Sequence, residues 1–495
     1  MSFARELEQS LARLQAAGEI EVREDGRFLG ELSSPQWEVR EQARNLILHV
    51  WTGDRNLTRR VIRILDSDAD GIALETARFG RTRPGKLEFL RRDVPRTQGR
   101  LTREKFRAQF SRFLAEKFPD ARLQSLAVSP DLEHSLSGIY PRGILTEGGS
   151  TWAVMGVSPS ESASVVDDAL AFGLLWLDHT RRRSESRAIR GLRLFLPKGA
   201  ANVTARRAVD LHPCAQLQLF EYDDVTGGVD RVDITDAGNL ECRLASRAER
   251  GARLEPSKSA IDETRALALE DAQAIDAVPL PGTDTIALRF RGLDFARWTA
   301  QGMLFGVGDD LQPLTSRARP KLTRLLQELS ERRNPLGTET AHRFYRAAPE
   351  RWLETLIAAE PERLDALLNP RHLYSQVMAV SAGDRGIVDL LGVTRQGRLA
   401  VIELKASEDI QLPLQALDYW QRVRHHHAHG DFRALGYFHD VELDSRPPLL
   451  WMVAPGFQFH SSTDTLLSYV SPEIEVTRIG LNENWRRGLQ VIFRR

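Results

Sequence analysis

At 495 residues, 42% hydrophobic and 27% charged, the chain is too long for one ordinary core, and about two to four globular domains are expected. It has no apolar stretch of ~18 residues that would make a transmembrane helix, and its start, MSFARELEQSLARLQ, lacks an apolar signal core, so a cytoplasmic protein without a membrane partner is expected. A formal net charge of +0 announces no nucleic-acid binder but allows a local basic groove, and two cysteines are too few for a disulfide framework, a four-cysteine zinc site or an iron–sulfur cluster.

In chain order, residues 1–98 read as a small α+β accessory unit. A helix spans Phe3 to Ala17, a strand pair is formed by VIRIL (61–65) and GIALE (71–75), and turns are signalled at Gly80 and Pro84-Gly85. A second unit, 99–243, opens with the amphipathic helix 101–118. Strands follow near 142–146 and 152–157, then an apolar helix near 163–178 and strands at 191–196 and 216–222. Cys214 and Cys242 read as buried or half-buried small apolar residues. Residues 244–283, rich in Ala, Asp, Glu, Ser and Pro, read as a linker holding one short helix, 261–275. A connecting segment, 284–344, carries a strand at 284–290 and a helix at 317–332. The last unit, 345–495, begins with PERWLETLI (349–357), where Pro349 suits the first turn of a helix.

Chemistry concentrates in that last unit. GDRGIVDLLGV (383–393) and RLAVIELKASED (398–409) read as an antiparallel strand pair joined by a short turn. Inside this apolar pair the strongly polar side chains are Asp389, Glu403 and Lys405. Charges buried near a sheet are costly unless they are paired or hold a metal. Glu403 and Lys405 are two apart and share one strand face, so with Asp389 they can bind a hard divalent cation. With 68 acidic residues and seven lysines, an acidic-x-Lys triplet is expected about once by chance; its placement on an apolar strand is what carries the reading. Lys405 is also one of very few lysines in an arginine-rich chain, and lysine is a compact charge with a tunable pKa.

Asp389 followed by Glu403-Leu404-Lys405 resembles the active site of the PD-(D/E)xK nuclease superfamily, and Gln415-Ala-Leu-Asp-Tyr419 resembles the QxxxY arrangement of its RecB-like branch. The resemblance covers roughly residues 345–495; Val388 stands where the family often has proline. It implies a mixed α/β, restriction-endonuclease-like core and metal-dependent hydrolysis of DNA phosphodiesters to 5′-phosphate and 3′-hydroxyl ends. It further implies that Asp389, Glu403 and the Leu404 carbonyl hold Mg²⁺ (Mn²⁺ substituting), with Glu354 as an auxiliary ligand. Lys405 would then serve the attacking water, and Gln415 and Tyr419 would support the site or touch DNA. Arg385, entering the same strand as Asp389, is a phosphate-contact candidate. A non-catalytic DNA-binding or scaffold protein, and a nuclease for RNA or modified nucleic acid, are the competing readings. A protein partner or a homodimer stays open.

The middle unit reads as a degenerate second copy. A shift of 247 residues lays WAVMGVSPSE (152–161) on LAVIELKASE (399–408), and Asp168-Ala-Leu-Ala-Phe172 on Gln415 to Tyr419. PRGI (141–144) then matches DRGI (384–387), and Thr146, Gly156 and Ser158 replace Asp389, Glu403 and Lys405. A pseudonuclease follows, kept for shape, DNA contact or pairing with the active half. Among His425, His426, His427 and His429, only His425 and His429 share a helical face, and the cluster reads as a solvated helix end. Arg181 to Arg183 and Arg486-Arg487 beside Trp485 read as solvated surface, with backbone tracking along nucleic acid as the alternative. No Walker loop, GxGxxG or GxSxG occurs, so no nucleotide cofactor is expected.

Overall fold

The computed structural model describes the chain apart from residues 1–2, 17, 25–26, 33–36, 43–44, 52–55, 68–70, 78–83, 92–96, 132, 184–187, 224–225, 236–241, 248–256, 281–283, 309–310 and 382–383. It is a mixed α/β protein whose described residues form four sheets. Among the described residues no helix is long and apolar enough to cross a membrane.

The first sheet is wholly antiparallel, in the order β2-β1-β7-β6-β5-β4-β3. Its strands are β1 (Ile20–Glu24), β2 (Arg27–Leu32), β3 (Trp37–Gln42), β4 (Asn45–Trp51), β5 (Asn56–Ser67), β6 (Gly71–Ala77) and β7 (Gly85–Arg91). Helix α1 (Phe3–Ala16) covers one face, because Leu7, Leu11 and Leu14 recur at helical spacing and bury against Val22, Leu48, Leu74 and Phe89. The expected strand pair is β5 and β6. Gly80 lies outside the described residues, and Gly85 opens β7.

The second sheet has the order β13-β12-β11-β10-β9-β8. It comprises β8 (Arg122–Ala127), β9 (Arg142–Glu147), β10 (Ser150–Gly156), β11 (Ile189–Pro197), β12 (Gln218–Tyr222) and β13 (Val229–Arg231). The third comprises β14 (Cys242–Leu244), β20 (Leu368–Ser381), β21 (Asp384–Thr394), β22 (Leu399–Leu404), β23 (Leu449–Pro455), β24 (Val476–Leu481) and β25 (Val491–Arg494), adjacent in that order. Along β8 to β13 the pairings run antiparallel, antiparallel, parallel, parallel, antiparallel. Along β20 to β25 they run in the same succession. The crossovers correspond too. Helices α3 (Ala163–Arg183) and α4 (Asn202–Val209) link the parallel strands of one sheet, as α8 (Leu412–Ala428) and α9 (Thr463–Leu467) link those of the other. Before them come α2 (Thr97–Lys117), on the outer face of the second sheet, and α7 (Pro349–Ala359), on the outer face of the third.

The two mixed sheets share one core, built across α3 and α8. Their contacts are reciprocal: α4 packs on α8 while α9 packs on α3. Where the chain leaves α4 and α9 it crosses itself, with Leu211 and Val470 forming an antiparallel bridge. His212 N–H donates to Tyr469 O at 2.8 Å and Ser471 N–H to Asp210 O at 2.9 Å. Such exchange is the mark of an approximate two-fold.

Residues 244–283, read as a linker holding one short helix, also carry sheet pairings among their described residues. Leu244 pairs with Ala379 on β20. Further on, α5 (Lys258–Leu267) and a 3-10 segment (Leu269–Ala274) precede β15 (Ile275–Pro279), so the expected helix 261–275 starts earlier and stops at Leu267. β15 joins β16 (Ile286–Phe290), β17 (Leu293–Thr299), β18 (Gly302–Phe305) and β19 (Gln312–Pro313) in an antiparallel sheet. Ile261 and Ile275 bury there with α6 (Arg319–Arg332), so a few well-placed apolar residues override the linker-like composition.

Candidate active site

β22 lies inside the third sheet with every residue buried. Its pairing with β21, Leu390 to Ile402 and Leu391 to Val401, brings Asp389 opposite Glu403 where the ladder ends. There the Leu404 N–H donates to Asp389 Oδ2 at 2.9 Å. Lys405 Nζ lies 3.7 Å from Glu403 Oε1 and 3.6 Å from Asp409 Oδ2. The three residues singled out from sequence are therefore together. Asp409 joins them as an ion-pair partner.

The electrostatics follow from burial. Burial, then the neighbouring Asp389 carboxylate, pushes the Glu403 carboxyl well above the usual carboxylate range. Burial also raises Asp389, against the pull of Lys405 and the Leu404 N–H. Burial disfavours the Lys405 ammonium, but Glu403, Asp409 and Asp389 outweigh it and hold the lysine charged. Glu403 Oε2 is buried with no hydrogen-bond partner, an acceptor that calls for a ligand.

Helix α7 adds two acids, one turn apart. Glu354, 5% exposed, accepts from Gln376 Nε2 at 2.6 Å, and burial followed by Asp389 pushes its carboxyl up to about 7. Glu350 Oε1 accepts from the Ala406 N–H at 3.4 Å, and its charge acts on Asp389 and Lys405. Glu350 was not expected, although PERWLETLI carries both acids at i and i+4 on one helical face.

Gln376 was also not expected. It sits on β20 at φ 53°, in the left-handed region that a non-glycine residue rarely adopts. The pairings Ser375 to Leu390 and Val377 to Val388 leave it directly opposite Asp389. The strained backbone turns its amide to Glu354, and no sequence signal marks a left-handed glutamine.

On α8, burial and then the charges of Glu403 and Asp389 raise the Tyr419 phenol well above its ordinary range. The Arg422 guanidinium stands 5.8 Å from that ring and donates to Ala379 O. Gln415 lies one turn before Tyr419 and is half-buried. Arg385 pairs with Val380 in the ladder, but its side chain lies outside the described residues.

Helix α7 is held by the five-stranded sheet. Asp294 of β17 accepts from Arg289 at 2.8 Å and from Arg351 of α7 at 3.2 Å. Fully buried Arg333 donates to the Ala347 and Ala348 carbonyls at the start of the same helix. Gly292, at φ 81°, lets the β16–β17 turn approach the Arg351 backbone.

Among the described residues no three His, Cys, Asp or Glu donors converge into a metal cage. Asp389 and Glu403, with an unpartnered oxygen, are nonetheless the donor chemistry of Mg²⁺, which takes one or two carboxylates and keeps several waters. Leu404 contributes its N–H to Asp389.

The other candidates have structural partners. His426 Nδ1 pairs with Asp431 at 2.7 Å, His427 Nε2 meets Asp444 O at 2.8 Å, and His429 Nδ1 meets His425 O at 2.8 Å, with the His425 and His429 rings 4.3 Å apart. Arg181 donates to the carbonyls of Arg190 and Cys214, and Arg182 pairs with Asp178. Arg486 packs on the rings of Trp485, Tyr345 and Trp352, so it is not solvated surface. Cys214 is exposed rather than buried, and the side chain of Cys242 lies outside the described residues.

The middle sheet corrects the residue correspondence. Glu403 and Lys405 share the α8 face of β22 with Leu399 and Val401. On β10 the α3 face carries Ala153, Met155 and Val157, whereas Gly156 faces α2, against the Phe110 ring. The gapless shift is one residue out, and a one-residue slip exchanges the faces of a strand. By face, Met155 and Val157 stand where Glu403 and Lys405 do. Met155 pairs with Arg142, which takes the place of Asp389 in preference to Thr146.

No protein-family model and no curated protein matches this chain.

Proposed function

We propose that the protein is a metal-dependent DNA nuclease whose catalytic centre is Asp389, Glu403 and Lys405 on a restriction-endonuclease-like core, with a degenerate second copy in the middle of the chain. The observation that carries this reading is the carboxylate pair at the end of β21 and β22, half-buried Asp389 and buried Glu403, with an unpartnered Glu403 oxygen beside a charged lysine. Burying the Glu403 carboxylate beside half-buried Asp389 without a ligand would cost on the order of a few kcal/mol, so the arrangement fits a site that awaits a cation and a phosphate.

Asp389 and Glu403 would hold Mg²⁺, or Mn²⁺ in its place; when bound, the ion neutralises phosphate charge and lowers the pKa of coordinated water. The chain's own residues supply the rest. Lys405, kept charged by Glu403 and Asp409, orients the attacking water and stabilises negative charge developing on phosphate. The Leu404 N–H fixes the Asp389 carboxylate. Glu354, titrating near neutrality, can exchange a proton with water at the edge of the site. Tyr419 supports the carboxylates, and Gln415 is its partner on the α8 face. The repeated sheet order and crossovers support the duplication, and Arg142, Met155 and Val157 explain why the middle copy is inert.

Purified wild type and Lys405→Ala, compared on DNA with Mg²⁺, test the reading. The variant should lose at least ~10²–10⁴-fold in rate, as for loss of a charge-stabilising group. Equal rates would refute it, and DNA binding without cutting by wild type would favour a scaffold. RNA supplied in parallel separates the two substrate classes.

A further inference from the structure

We propose that one chain cuts a single strand per binding event, because it is a covalent pseudo-dimer with one live catalytic centre. This rests on the nuclease reading above. Nucleases that sever both strands of a duplex at once need two centres related by a two-fold, matching the two-fold relation of antiparallel strands. Here the second centre is present in shape and absent in chemistry.

Two observations independent of the catalytic residues support this. First, the position a second subunit would occupy is filled by the chain itself. Helix α8 is tied to the middle unit along its length. Gln411 Nε2 donates to Asp168 O at 3.4 Å, Arg207 Nη2 to Asp418 at 2.7 Å, Gln421 Nε2 to Asp210 at 2.7 Å and Arg424 Nη1 to Asp210 at 2.8 Å. Arg207 is buried, and Asp418 holds its guanidinium firmly charged against that burial. With the reciprocal helix packing and the Leu211–Val470 bridge, this is a closed interface, and a second copy cannot pair through the same surface.

Second, the inert centre is sealed. Arg142 donates from Nη1 to Ser137 O at 2.9 Å and also to Ser129 O, pinning the loop between β8 and β9 over the end of the sheet. Leu136, Ile139 and Tyr140 from that loop are buried, and the Tyr140 hydroxyl donates to Val165 O at 2.7 Å on α3. Among the described residues, buried side chains fill the place where a second cut would occur.

The test uses the full chain, with substrate in excess and Mg²⁺ present, on a supercoiled circle and on a linear duplex labelled on each strand in turn. Light scattering is run at the assay concentration. The expected result is a monomer that converts supercoiled to open-circular DNA, with linear DNA appearing only after a lag as independent cuts accumulate. If the circle is inert because ends are required, one labelled strand should shorten while its complement stays whole. Linear DNA formed without an open-circle phase, or both labelled strands shortening in step, would overturn the proposal while leaving the nuclease reading intact. No cleavage of any substrate would overturn the nuclease reading and this inference with it.

Discussion

Replacing Glu354 with glutamine isolates the energetic cost of the most displaced carboxyl on α7. Its ordinary value is near 4.5, and in the fold burial and Asp389 move it to about 7. The folded protein therefore binds this proton more tightly than the unfolded chain. The stability linked to it is complete below about 4.5 and is lost as pH rises through about 7. At about 1.4 kcal/mol per pH unit, the ionised carboxyl costs roughly 3 kcal/mol at pH ~8. Glutamine carries no charge at any pH, and its carbonyl can still accept from Gln376 Nε2, the bond seen at 2.6 Å. Urea unfolding in EDTA, so that no cation draws the carboxyl down, should show Glu354→Gln more stable than wild type at pH ~8 by up to roughly 3 kcal/mol, and near parity at pH ~4.5. A variant equally displaced at both pH values, or less stable at the higher one, would refute the reasoning.

Two further outcomes test how the site is held. Gly292→Ala introduces a Cβ 2.5 Å from the Arg351 carbonyl carbon at φ 81°, so it should destabilise by at least ~1 kcal/mol and reduce cleavage by displacing α7; a melt and a rate unchanged from wild type would contradict this. Arg207→Leu strands Asp418 at the interface and should cost about 3–5 kcal/mol, with most of it recovered in Arg207→Leu/Asp418→Leu. A double-mutant cycle by urea unfolding checks this, and additive losses would show that the pair is not coupled.

That Asp389, Glu403 and Lys405 come together was legible in the sequence for a physical reason. The runs Ile387–Val393 of β21 and Leu399–Leu404 of β22 are otherwise apolar, so Asp389, Glu403 and, just past β22, Lys405 stand out as charges that need a purpose. The α8 pair was legible from its four-residue spacing. The N-terminal sheet was mostly not. Strands such as Trp37–Gln42 and Ile20–Glu24 are half charged, and only the VIRIL and GIALE runs of that sheet were read as strands, the aliphatic run of β4 being missed. The linker reading failed because composition averages over Ile261 and Ile275, whose burial anchors the five-stranded sheet. The residue correspondence in the middle unit failed by one position, since a gapless shift does not report which face of a strand a side chain takes. Gln376 could not be found at all, because its role depends on a backbone angle.

The central claim is that Asp389 and Glu403 form a working metal-dependent centre, and the most direct measurement is DNA cleavage by wild type and Glu403→Gln with Mg²⁺ or with EDTA. Glutamine keeps the shape of a side chain that is 3% exposed and removes its charge, so folding and DNA binding should survive. The account predicts cutting by wild type with Mg²⁺, none with EDTA, and a loss of at least ~10²-fold in the variant. Cutting that persists in EDTA, or a Glu403→Gln protein as fast as wild type, would contradict it.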